Sequence, residues 1–517
     1  MPDRNQGGAS APRSWWRRYW WVPVTLGVVV IVPAILGLVA LVSGPPLCGN
    51  GLTAEGTPQV CIGIDIDSGA LAHGDRLADL ETKTAALNAN VTANVKGGDF
   101  GTIVLLMNMT PDPNSDSVAF LSLRHQIEGA ITAVWRADNQ TVAGGTTPPI
   151  KLMLANFGAG ANYWQDAVDA ITAQQNGQHI VAVTGIGQSL DNTRQAVNAL
   201  SEAGIVTVGA AVTADNMNQW PDDIRIRDFF RVASTNTDMA TTAVAYAASH
   251  HYARTMLVKD TNDTDSYAST LGTAFTNAYT TRYHTAVPYV EPYLSPDGPL
   301  NTMSREQYMA NQFAGMHADI CQDKPDLFYF AGRGTDLAAF LTSLAQGGAC
   351  GLTSVTVMSG DDATSLEGAP LPNFGDLKVT VLYTSESSGT EWQGFPDGSD
   401  QVQNYNKFSE AFGRNGFAPA DLQDGDAAIS HDAVLSAATA ARLDPVATTN
   451  PGTVAASFLR FACRRTIPGA SGDIAFDQNG NPVDKAMPIM RVQSDGSVVQ
   501  QDLAWSTGQA FDPAACP

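Results

Sequence analysis

Between residues 102 and 361 the chain repeats one unit: a short apolar run, a turn, an amphipathic helical stretch, then another apolar run. The runs are Thr102–Met109, Ile150–Phe157, Ile180–Gly185, Ile205–Ala211, Thr255–Asp260, Leu327–Ala331 and Ser354–Met358. Each is too short for a stable helix and too continuously apolar to be half exposed. A strand buried on both faces of a parallel sheet satisfies both constraints. The repeat therefore predicts a doubly wound α/β architecture, in which ligands sit at the carboxyl ends of the strands.

The stretches between the runs carry a helical period. Leu123–Arg136 puts Leu123, Ile127, Ala130, Ile131 and Val134 on one face. Asp336–Gln346 does the same with Leu337, Phe340, Leu341 and Leu344, and Gly347-Gly348 ends it. Leu190–Ala203 follows Ser189, a good N-cap residue, and stops before Gly204. The strand runs fall into two series, Thr102 to Ala211 and Thr255 to Met358. After Lys378–Tyr383 the chain returns to helices at Tyr405–Gly413, Ala433–Arg442 and Gly452–Cys463. A hairpin of Asp473–Phe476 and Met487–Val492 is expected around the turn 477–481. Two α/β series with repeated crossing predict two lobes, 99–235 with 376–484 and 236–375 with 485–517, and a cleft between them.

The amino terminus has a different character. Arg4, Arg13, Arg17 and Arg18 precede Trp21–Val42, 22 residues without a charge. As a helix that stretch spans about 33 Å, enough for a bilayer core of roughly 30 Å. Trp15, Trp16, Tyr19, Trp20 and Trp21 form an aromatic belt at one end. The expectation is a transmembrane helix over 21–43, a cytoplasmic tail over 1–20, and an extracellular body tethered in the cell membrane. A juxtamembrane extension is expected over 44–98, holding a short strand at Val60–Ile66 and a helix at Asp79–Val91. A cleaved signal peptide and a lipoprotein are the rival readings, each with a poor processing site: Val42-Ser43-Gly44 for the first, Leu47 before Cys48 for the second. All six cysteines follow the apolar segment, which suits disulfides; nearest-neighbour pairing would join Cys48–Cys61, Cys321–Cys350 and Cys463–Cys516 among 15 arrangements.

A net charge of −22 argues against nucleic acid as a partner, since phosphates need a clustered cationic surface. The chain has no nucleotide-binding or P-loop fingerprint, no G-x-S-x-G elbow and no zinc spacing, so neither cofactor nor metal is expected. Asp477, Asn479 and Asn481 lack the twelfth-position Glu of a calcium loop and read as a turn.

The segment Val181-Ala182-Val183-Thr184-Gly185-Ile186-Gly187-Gln188-Ser189 and the later Gly204–Thr213 resemble the type I periplasmic binding-protein family. The leucine/isoleucine/valine-binding branch of ABC transporter proteins is the most similar. Leu257–Asp260 before Asp265-Ser266-Tyr267, Leu327–Gly332, Val357–Asp361 and the closing 472–492 keep the family's order. Gly187-Gln188 departs from the pattern before the serine, Ala268 replaces the glycine after the tyrosine, and 386–403 reads as an added loop. Branched-chain specificity is therefore not carried over.

The resemblance implies a two-lobe fold in which Gln188 and Ser189 hold a ligand carboxylate at a helix start, while Ala211 and Thr213 supply a backbone carbonyl and a hydroxyl at the next strand end. Free N–H groups at a helix start favour such an anion. It implies further that Tyr267 contacts the ligand and that Asp361 pairs with its ammonium, with Arg333 placed to meet an anionic side chain. Each has a plainer reading: Ser189 as an N-cap, Thr213 and Asp361 as turn residues, Tyr267 as a loop aromatic. The function implied is an anchored solute-binding protein that captures a small amino-acid-like molecule for an ABC permease, without catalysis. A ligand-sensing ectodomain acting through a separate signalling partner is the alternative. A hydrolase is disfavoured because no nucleophile–base pair is identifiable.

Overall fold

All seven apolar runs form strands. The computed structural model describes residues 48–512, apart from 68, 70, 72–75, 96–98, 112–118, 221–223, 297–299, 301, 444–451 and 462–464. In the first half the strands are β1 (Leu52–Glu55), β2 (Val60–Ile64), β3 (Gly101–Met107), β4 (Ile150–Asn156), β5 (Ile180–Gly185), β6 (Thr207–Gly209), a two-residue ribbon of β7 (Gln219–Trp220) and β8 (Ile224–Arg225), and β9 (Phe229–Arg231). The second half has β10 (Thr255–Asp260), β11 (Tyr289–Tyr293), β12 (Leu327–Ala331), β13 (Ser354–Ser359) and β14 (Lys378–Thr384). A small ribbon, β15 (Ile467–Gly469) with β16 (Gly472–Ile474), precedes β17 (Met487–Val492) and β18 (Val498–Ala504).

These make two seven-stranded sheets, ordered β1-β2-β4-β3-β5-β6-β9 and β11-β10-β12-β13-β14-β17-β18. Pairing is parallel from β4 through β9 and from β11 through β14, and antiparallel at one edge of each sheet. The continuous apolar runs follow from burial on both faces. In β3, Ile103, Leu105 and Met107 join one core cluster while Val104 and Leu106 join the other. In β12, Phe328 and Phe330 face one way, Leu327, Tyr329 and Ala331 the other. Burying each large apolar side chain contributes about 1.5–3 kcal/mol, which locks the register.

Helices cover both faces of each sheet. In the first lobe, Phe120–Asn139 and Asp426–Leu443 pack on one face, Trp164–Gln174 and Asp191–Glu202 on the other. In the second, Arg305–Gly315 and Gly334–Gln346 oppose Asn236–Ser249 and Ser266–Tyr283. The chain crosses between lobes after β9, after β14 and before β17.

Three expectations need correction. The expected strand and helix of residues 44–98 form, as β2 and Ala78–Asn94, but they are not a separate juxtamembrane extension: β2 pairs with β4 through Gly63 and Ile64, extending the first sheet. β14, expected in the first lobe, pairs with β13 and β17 in the second sheet, so the crossing comes after it. The closing hairpin is β17 with β18, not residues 473–476 with β17; the earlier segment makes its own ribbon, β15–β16. The stretch 386–403, expected as an added loop, is without helix or strand up to residue 399 and packs inward: Glu386, Ser387, Ser388, Glu391 and Trp392 are buried, and Trp392 Nε1 donates to the Ala470 carbonyl at 3.1 Å.

Cys321 and Cys350 form a disulfide, and Cys48 and Cys61 are each disulfide-bonded; Cys463 and Cys516 lie outside the described residues. The apolar segment 21–43 also lies outside them, and among the described residues no helix is long and apolar enough to cross a membrane.

Candidate functional site

The carboxyl ends of strands from both sheets converge on one cavity of ≈ 320 Å³. From the first lobe it receives Met107 at the end of β3, Gly187, Gln188 and Ser189 after β5, and Ala211 and Thr213 after β6. The second lobe brings Tyr267, Arg333 after β12, and Asp361 and Asp362 after β13. Ser385 and Glu386, after β14, lie at the crossing between lobes. All six residues predicted for the site, together with Arg333, thus share one space.

The backbone after β5 makes this possible. Gly185, Ile186 and Gly187 take φ of 89°, 70° and 62° in succession. A β-branched residue in the left-handed region is strained, and such strain persists only where the surroundings enforce it. Ile186 is fully buried, and its N–H donates to Leu106 O at 2.8 Å. The turn delivers Ser189 into the interface between lobes.

Ser189 is not the N-cap of the following helix; Leu190 holds that position, with its N–H donating to Thr193 Oγ1 at 2.8 Å. Ser189 Oγ instead accepts the N–H groups of Thr213 (3.0 Å) and Ala214 (3.2 Å). It thereby ties the β5 turn to the β6 turn. Its carbonyl faces the other lobe, accepting from Tyr267 N–H and from Arg333 Nη2, each at 3.1 Å.

Arg333 is not available to an anionic side chain. Its guanidinium grips Asp265 through two bonds, 2.6 and 2.7 Å, reaches Asp362 at 3.2 Å, and lies 4.7 Å over the Tyr267 ring. Burial opposes the charge, but Asp265 and Asp362 outweigh it and hold Arg333 firmly protonated. Asp265 also caps the helix Ser266–Tyr283 by accepting from Ala268 N–H at 3.2 Å, and Asp362 accepts from Gly334 N–H at 2.7 Å. Tyr267 Oη accepts from the Asp362 N–H at 3.2 Å. Glycine is required at 360, where a Cβ would lie 2.5 Å from Tyr267 Oη.

Asp361 has weaker company. Thr213 Oγ1 reaches its Oδ1 at 3.4 Å. Burial, then the neighbouring Asp362 charge, push its carboxyl up to about 7, with Arg333 only partly opposing. Glu386 is 6% exposed; its Oε2 accepts from Ser234 N–H at 2.5 Å, while its Oε1 has no hydrogen-bond partner among the described residues. Burial and the nearby Asp361 push its carboxyl well above the usual range, although Lys485 opposes this.

A further part of the wall comes from the helices Phe120–Asn139 and Asp426–Leu443. His125 Nδ1 lies 2.5 Å from Asp424 Oδ2; burial lowers its pKa, but that bond and charge outweigh burial and hold it at about 9. Gln126 Nε2 donates to Asp426 at 3.2 Å, leaving Gln126 Oε1 buried and unpartnered among the described residues. Glu367 accepts from Tyr383 Oη at 2.5 Å and is pushed up to about 7 by burial. His125, Glu128 and Asp421 offer ligand atoms within 4.8 Å of one another, the one metal-type grouping among the described residues.

Sequence reasoning missed Glu386, Glu367, Gln126 and Asp426. Glu386 carried a usable signal: it follows directly on a β-strand's carboxyl end, as Asp361 does. The others carried none, because a helical period reveals which face is buried without revealing what that face meets.

No family model matches the chain, and no curated protein sequence matches it. Solved structures do. An ABC transporter substrate-binding protein from Desulfitobacterium hafniense, in complex with Leu, aligns over 78% of this chain and 100% of its own, at 19% identity and a TM-score of 0.56. A leucine binding protein from Thermotoga maritima aligns over 78% and 98%, at 19% identity and 0.55. A solute binding protein of an ABC transporter from Rhodopseudomonas palustris HaA2, in complex with p-hydroxybenzoic acid, aligns over 81% and 100%, at 14% identity and 0.57. The chain therefore has the fold of the type I periplasmic binding proteins.

Proposed function

We propose that this chain is a membrane-anchored extracytoplasmic solute-binding protein that captures a small, amino-acid-like ligand between its lobes and presents it to an ABC-type importer. The observation that carries this reading is the cavity: strand ends from both sheets line it, and Asp361 and Glu386 stand in it without an ion pair among the described residues, Arg333 and Lys485 acting on them only from a distance. The ligands named for the neighbouring structures, Leu and p-hydroxybenzoic acid, are small molecules with a carboxyl group. No bond is made or broken in this scheme; binding is the function.

In the bound state Gln188, Ser189 and the Thr213 hydroxyl hold the carboxylate pole, and the Ala211 carbonyl is an acceptor for a ligand N–H. The Ser189 hydroxyl, already fixed by two N–H donors, keeps its own proton to donate. Asp361 takes the ammonium, and Tyr267 closes over the ligand. Closure would excludes water and strengthens both charge-assisted contacts. The helix over 21–43, with Arg4, Arg13, Arg17 and Arg18 on its cytoplasmic side, would keep the body near a permease and raise its effective concentration there.

A thermal-shift panel of amino acids on the full-length protein in detergent tests the binding. A ligand at a hundred times its dissociation constant adds about 2.7 kcal/mol of stability. Asp361→Ala removes the shift. A panel without any shift, or a shift that survives D361A, refutes the assignment. Protease added to intact cells checks the topology: residues beyond 48 are digested from outside if the anchor reading holds, and are protected if it fails.

A further inference from the structure

We infer that the ligand is a net-cationic molecule carrying two positively charged or hydrogen-donating poles on a hydrocarbon spacer, such as a diamine or a basic amino acid. This rests on the solute-binding reading above and names the substrate class of the same cavity. A neutral zwitterion needs one acceptor for its ammonium and one donor set for its carboxylate. This cavity holds far more acceptor than that.

Six carboxyl groups line it: Asp361, Asp362, Glu367, Glu386, Asp424 and Asp426. Its two cationic side chains are both spent, Arg333 on Asp265 and Asp362, and His125 on Asp424. Neither is left for a ligand anion.

Two buried acceptors, on separate elements, stand without partners among the described residues. Glu386 Oε1 is on the segment that crosses between lobes, and Gln126 Oε1 is on the helix Phe120–Asn139. Glu386 and Gln126 are 6% and 4% exposed, so water does not satisfy these atoms. An unmet buried acceptor costs about 1–3 kcal/mol, and a charged one more, unless something that binds supplies the donor. The first lines the cavity with Asp361, whose charge acts on Glu386; the second sits with Asp426, to which Gln126 donates. One ammonium takes Asp361 and Glu386, and the second donor takes Gln126 Oε1 and Asp426. Met107 and Ile429 add apolar wall suited to methylenes. The net charge of −22 draws such cations in.

Calorimetric titration of the full-length protein in detergent separates the cases, with cadaverine, L-lysine, L-leucine, glutarate and manganese(II) as probes. Cadaverine or L-lysine should bind about tenfold or more tightly than L-leucine, with no detectable glutarate binding. If L-leucine binds as well as the cations, or glutarate binds, the cation inference falls while the solute-binding reading stands. Manganese(II) binding alone overturns the inference in favour of a metal site. Silence from every probe sinks both.

Glu386→Gln keeps the acceptor for Ser234 N–H and should weaken both cations about tenfold. Gln126→Met should weaken cadaverine severalfold and leave L-leucine unchanged. Unchanged cadaverine affinity in either folded variant, judged by circular dichroism, contradicts the two-pole seat. The pair keeps the test decisive even if one variant fails to fold.

Discussion

Two carboxylate clusters meet at the interface between the lobes, and they are built on opposite principles. Around Arg333 every charge is answered: Asp265 by two guanidinium bonds, Asp362 by a third and by the Gly334 N–H. Around Asp361 and Glu386 the carboxyls have no ion pair among the described residues, with hydroxyl and backbone contacts on the first, those from Thr213 and Tyr267 included, and one N–H on the second. The first cluster holds the turns in place. The second stores an unmet demand for positive charge, and that difference separates scaffold from seat.

The sharpest way to break the comparison is to remove Arg333. Arg333→Ala leaves Asp265 and Asp362 as buried, unpaired charges, and denaturant unfolding should register a loss of about 3–5 kcal/mol. A loss under about 1 kcal/mol would mean the cluster is solvated and not structural. Ser189→Ala comes next. It strips the acceptor from the Thr213 and Ala214 N–H groups, which should cost about 1–3 kcal/mol and weaken ligand binding as well. Full retention of both stability and affinity would deny it the tie between the β5 and β6 turns.

Asp361→Asn should behave in the opposite sense. The Asp361 carboxyl sits at about 7 in the folded protein, against about 3.9 in an unfolded chain. Between those values the native state holds a proton that the unfolded state has lost, so this residue makes stability fall as pH rises from about 4 to 7. The asparagine variant should therefore melt higher than the parent at pH 8 and equal to it near pH 4. Glu367, pushed up by burial, contributes a slope of the same sign, so the parent's pH dependence shrinks without vanishing. A variant less stable than the parent at pH 8 would mean that Asp361 is paired after all. The smallest effect is reserved for Thr213→Val: losing a 3.4 Å contact should change stability by less than about 1 kcal/mol.

What could be read from the sequence follows the same division. The central parallel strands of both sheets were legible because burial on two faces leaves unbroken apolar runs, as at Ile103–Leu106. The site was legible where residues follow strand ends, as Ser189, Thr213 and Asp361 do. The pairing of Arg333 was not, because Asp265 lies 68 residues earlier and only the folded sheet brings them together. β1 was obscured by its short length and Gly-rich flanks; β2 was legible as a strand, but not its edge pairing of Gly63 with Asn156, which only the folded sheet shows. Glu386 was passed over because it opens a stretch read as an added loop, yet its burial makes it part of the wall.

The most direct test of the distinction is calorimetric titration of L-lysine into the parent protein and into Asp361→Asn, with denaturant unfolding of both at the same pH. The account predicts one site per chain in the parent, an affinity at least about tenfold weaker in the variant, and no loss of fold stability. Equal affinity in the two proteins, or a variant that loses binding only because it unfolds, would contradict it.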